Sequence, residues 1–131
     1  MGSWGAGNFD NDDATDYLAD LIEELAIQID ECLEDPERRA LDEQGEAVIP
    51  TTAQILSVLV ENFNTVPPKP KVVVRWRKGY LAVFDEGIDS LEPAENYKEE
   101  RRAVIEQTFR RLEEQARAYW KPNKAVASGA E

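Results

Sequence analysis

Four aspartates, Asp10, Asp12, Asp13 and Asp16, gather around one helix start and form the densest cluster of groups that could do chemistry. Hard cations such as calcium take several oxygen ligands, so a carboxylate-based divalent-metal site with hydrolytic activity is the sharpest function such a cluster could support. The spacing does not follow the common calcium loop. Counted from Asp10, Ala14 stands where the fifth position needs an oxygen, Thr15 where the sixth needs glycine, and Leu21 where the twelfth needs glutamate. Acids in a first helical turn are also favoured by the positive end of the helix dipole, and this role accounts for them without a metal. No metal ligand is assigned.

The rest of the chemical inventory is short. The chain has no histidine and a single cysteine, so His-based triads, the usual zinc sets and an internal disulfide are all excluded. Cys32 lies three residues after Ile29 on an apolar stripe, where a thiol behaves as a small core hydrophobe with a raised pKa, and no histidine is present to activate it. Glycine-rich phosphate loops and the Gly-x-Ser-x-Gly elbow do not occur, so no catalytic residue and no cofactor is assigned. A basic strip, Lys69, Lys71, Arg75, Arg77 and Lys78, is interleaved with Trp76 and Tyr80 in the manner of a single-strand binder. Helical spacing sends both aromatics to the core instead. The bases are then expected to pair with the acidic first helix, and nucleic-acid binding is not expected.

Charge is the remaining feature. The formal net charge is −12, and it is uneven: residues 1–66 hold sixteen acids against Arg38 and Arg39, whereas the second half is slightly basic. Such a field repels phosphate backbones and favours basic partners. Asp16, Asp20, Glu23 and Glu24 fall opposite the apolar stripe of the first helix, with Asp30, Glu31 and Glu34 extending the charge, and are the candidate partner-binding residues. A plain solvated face is the competing explanation.

These groups have to be positioned by helices. Leu18, Leu21, Ile22, Leu25, Ile29, Cys32 and Leu33 recur at three and four over Asp13 to Glu34, with Asn11 or Asp10 as cap. Asp35-Pro36 predicts a short helix over 36–43 that Gly45 ends, and the Thr51/Gln54 capping box predicts another over 52–63. Three prolines in 67–70 make the main connection. Between 71 and 91, Val73, Trp76, Tyr80, Phe84, Ile88 and Leu91 fit a helix better than the alternative, a β-hairpin at 72–84. Asn96 and Glu99 cap a last helix, with Val104, Ile105, Thr108, Phe109, Leu112, Ala116, Tyr119 and Trp120 along one side. The expected architecture is an all-α single domain of about five helices over 1–121, with a disordered tail at 122–131. The N-terminus carries no basic and apolar leader and no apolar run reaches a membrane span, so a cytoplasmic location is expected.

The opening carries one recognisable pattern: Trp4, Gly5, Gly7, Phe9, Asn11 and Asp12. This Trp-Gly-x-Gly-x-Phe-x-Asn-Asp motif resembles the start of the uncharacterised bacterial family known as domain of unknown function 4259. The resemblance implies a compact, mostly helical domain and no established activity. The glycines suggest a tight coil that folds Trp4 and Phe9 back against the first and last helices, plugging one end of the bundle. With no affirmative catalytic feature, the expected role is a protein-interaction module of the immunity or antitoxin kind, with a basic protein as partner and neither nucleic acid nor membrane involved.

Overall fold

Helix formation starts where the sequence places it, at Asn11, whose side-chain oxygen accepts the Ala14 N–H at 2.8 Å. In the computed structural model of the chain, which describes residues 5–63 and 65–121, every element is helical. Among the described residues there are four α-helices, α1 (Asp12–Glu34), α2 (Gln44–Asn62), α3 (Pro70–Gly87) and α4 (Tyr97–Tyr119), with a short 3-10 helix at Ile88–Leu91 between the last two. The expected count of about five is thus corrected to four and one 3-10 turn. Residue Trp4 and the segment 122–131 lie outside the described residues.

The helices share one core. α2 lies between α1 and α4, α3 packs along α4, and α1 meets α3 over a shorter stretch. Antiparallel packing of α3 and α4 follows from their pairs, since Arg77 meets Glu113 and Asp85 meets Arg102. Ile29 and Cys32 from α1, Ile49 and Leu56 from α2, Trp76 and Tyr80 from α3, and Ile105, Phe109 and Leu112 from α4 are all fully buried. Burying each large side chain is worth about 1.5–3 kcal/mol, which makes this shared apolar face the main source of stability.

The stretch 71–91 is helical, and the hairpin alternative at 72–84 is overturned: the spacing of three and four at Val73, Trp76, Tyr80, Phe84 and Ile88 puts all five in the core. Leu91, at the end of that series, is exposed.

Two other boundaries depart from expectation. Asp35 does cap, accepting the Glu37 and Arg38 N–H groups, but residues 36–43 form turns and not a helix. The segment has to bend back over the end of the core to bury Leu41. Gly45, expected to end a helix, sits in the first turn of α2 against the Arg38–Arg39 backbone. A β-carbon there would come within 2.5 Å of Arg39 Cα, and its N–H donates to the Arg38 carbonyl at 2.6 Å. α2 then runs through Pro50 where a new start at 52 was expected. Proline removes one interior hydrogen bond, but Ile49, Ala53 and Leu56 continue a buried stripe across it.

Asn96 is the N-cap residue of α4 in a left-handed conformation, φ 73°, and makes no side-chain cap bond, so its expected capping box with Glu99 is not formed. Val104, Tyr119 and Trp120, expected on the inner side of α4, are exposed.

Candidate functional site

The outer face of α1 carries the candidate residues Asp16, Asp20, Glu23 and Glu24, and all four are exposed. None has a cationic partner among the described residues. Several bases of the second half are engaged elsewhere: Arg102 with Asp85, Lys98 with Asp89, Arg111 with Glu61, and Arg77 and Arg117 with Glu113. Among the described bases of the second half, Arg75 alone forms an ion pair with α1, meeting Asp30 at 2.7 Å. The expectation that the basic strip pairs with the first helix therefore holds for Arg75 alone. Trp76 and Tyr80 are fully buried, as the helical spacing required.

Arg77 belongs to a pair that the sequence reading missed. Its guanidinium lies 3.3 Å from Glu113, with both side chains about nine-tenths buried. Burial raises the Glu113 pKa, but the guanidinium groups of Arg117 and Arg77 outweigh it and hold the carboxyl below its ordinary value. The available signal was Glu113 itself, placed four residues after Phe109 and beside Leu112 on the inner stripe.

At the N-terminus the motif glycines serve close approach, not left-handed backbone. The Asp10 carboxylate accepts the Gly7 N–H at 2.9 Å, and β-carbons on Gly5 and Gly7 would fall 2.6 and 2.7 Å from the same oxygen. Phe9 corrects the expected plug: it is 44% exposed and stacks on Phe63, just past α2, with ring centroids 4.3 Å apart. Asp12 sits in the first turn of α1. With Asp10 turned to Gly7, no group of three acids converges among the described residues in a way that could hold a metal. Cys32 is buried, and desolvation pushes its thiol pKa up.

Several grooves open at the surface of the described residues, among them two of about 600 Å³ or more that join separate elements. One, of about 650 Å³, runs between α1 and the proline segment, lined by Ala19, Ile22, Ala26, Ile27, Val66 and Pro68, with Glu23 and Lys69 at its edges. The other, of about 600 Å³, lies between α2 and α4 and is lined by Ser57, Val58, Val104 and the Arg111–Glu61 pair. Neither was anticipated, because each is made by residues far apart in the chain.

The fold and this surface define a small all-helical protein with one acidic face left without internal cations among its described residues; no described helix is long and apolar enough to cross a membrane. A family model, Domain of unknown function (DUF4259), matches residues 2–79, more than half of the chain, and the chain belongs to that family. The match covers α1, α2 and the first half of α3, well beyond the opening motif. No curated protein and no solved structure matches the chain.

Proposed function

We propose that this protein is a non-catalytic, cytoplasmic protein-interaction module that binds a basic partner protein through the outer face of α1, in the manner of an immunity or antitoxin protein. The observation that supports it is the separation of charge. Seven of the ten bases of α3 and α4 pair with acids elsewhere in the fold, while Asp16, Asp20, Glu23 and Glu24 stand exposed in successive turns of one helix with no ion-pair partner among the described residues. An unneutralised field of this kind steers association with a basic surface and costs the fold little, because exposed like charges are screened. Nothing in the geometry favours the alternative, a carboxylate metal site: Asp10 is held by the glycine coil, and Asp12 and Asp13 sit in the first turn of α1, where the dipole favours acids.

The test is affinity capture from the native host at low salt, with identification of the retained proteins. The reading requires a basic protein that is enriched at low salt and released as salt rises. Its absence removes the proposal.

A further inference from the structure

The groove between α1 and the proline segment gives the acidic face a shape as well as a charge. Its floor is Ile22, and Ala19 and Ala26 open it because small side chains leave room between α1 and the chain passing over it. Ile27 and Val66 line it and are themselves exposed, at 46% and 38%. Apolar side chains left at a groove wall, with charge along one edge, mark a docking surface more often than scattered exposed hydrophobics do.

The groove is bordered by one unpaired acid, Glu23, and one base, Lys69, and the acidic side extends further. Glu23 borders the groove, and Asp20 and Asp16 continue its line at helical spacing toward the start of α1, spanning about 10 Å along the axis. The next acid on that line, Asp30, is taken up by Arg75 and by the indole of Trp76, which closes that end. Lys69, the cation among the lining residues, has its ammonium 5.3 Å from the centre of the Trp120 ring. A ligand entering here meets apolar walls, the acids along α1 and the Lys69 ammonium held against Trp120.

We infer that this groove receives a basic amphipathic helix of a partner protein, its leucine- or isoleucine-type side chains lying between Ile27 and Val66 and its lysines or arginines facing Asp16, Asp20 and Glu23. The inference rests on the reading of α1 as the docking face and adds the occupant's shape and apolar character. A helix matches because its own side chains at i, i+4 and i+7 repeat the spacing of the three acids.

The probes are three synthetic peptides of one length, titrated into the isotope-labelled full chain and followed by amide chemical shifts. The first is an amphipathic helix of leucine and lysine; the second has its leucines changed to serine; the third has its lysines changed to glutamate. The leucine–lysine peptide should give saturable shifts confined to residues 16–30 and 66–72. The serine peptide should bind about tenfold more weakly, as loss of apolar burial requires, and the glutamate peptide should not bind. The double variant Ile27→Glu, Val66→Glu, altered only at exposed positions, should weaken the first peptide about tenfold with unchanged circular dichroism. Equal binding of the serine peptide, or shifts that avoid 66–72, overturns the groove while leaving the acidic face standing. Binding of the glutamate peptide as strong as that of the lysine peptide overturns the acidic reading as well, and no saturable shift with the leucine–lysine peptide overturns the groove outright.

Discussion

The indole Nε1 of Trp76 donates to Oδ1 of Asp30 at 2.7 Å, and Arg75 donates to the same oxygen at 2.7 Å. One carboxylate of α1 thus satisfies the polar atom of a fully buried tryptophan and anchors α3 to α1. It also explains why Asp30, which extends the acidic face beyond the candidate residues, is not available to a partner.

Asp30→Ala should leave the indole N–H without its acceptor and cost about 2 kcal/mol, whereas Asp30→Asn, which keeps an oxygen, should cost less than half of that. Denaturant midpoints with tryptophan fluorescence as the probe measure both. Equal losses in the two variants would show that the negative charge matters more than the hydrogen bond.

Gly45→Ala should destabilise the fold by about 2 kcal/mol or more, because the added carbon meets the Arg38–Arg39 backbone and not a side chain that can swing away. A midpoint unchanged from the parent would show that the turn before α2 is adaptable.

Replacing Glu113 with glutamine leaves Arg77 buried without its counter-charge and should cost roughly 3 kcal/mol at neutral pH. The folded pKa of Glu113 is depressed, so its contribution is complete above the ordinary carboxylate value and fades as pH falls through the folded one. The stability gap between parent and variant should therefore narrow below about pH 4. A gap that stays constant from neutral to acid pH would remove the ion pair from the account.

Cys32 should be inert to a water-soluble aromatic disulfide in the native state, since its sulfur is buried and burial raises its pKa. Its modification rate should follow global unfolding as denaturant is added. Fast labelling in buffer would mean that the end of α1 opens locally.

Local periodicity made α1 and α3 legible in the sequence. Val73, Trp76, Tyr80 and Phe84 repeat at helical spacing over a β-branched run, and burial of that stripe outweighs the strand propensity of the valines. Pro50 and Gly45 misled for the same underlying reason. Both carry a local cost inside a helix, and that cost is outweighed by packing that only the assembled fold supplies: the core beside Ile49 and Leu56, and the backbone of Arg38 and Arg39. The acids of α1 were legible as a face. Their lack of internal partners was not, because it depends on where α4 places Glu113 and where α3 places Asp85. The groove is likewise non-local, joining α1 to Val66 and Pro68 across α2.

The most direct measurement is the charge-reversed variant Asp16→Lys, Asp20→Lys, Glu23→Lys, Glu24→Lys, compared with the parent in melting temperature and in capture of the native partner across a salt series from about 50 to 500 mM, where screening becomes strong. The account predicts an unchanged helical spectrum, a melting temperature within a few degrees of the parent, capture reduced about tenfold or more at low salt, and a flattened salt dependence. A variant that folds and captures the partner as well as the parent at every salt concentration would contradict it, and would leave the acidic face of α1 as a device for solubility alone.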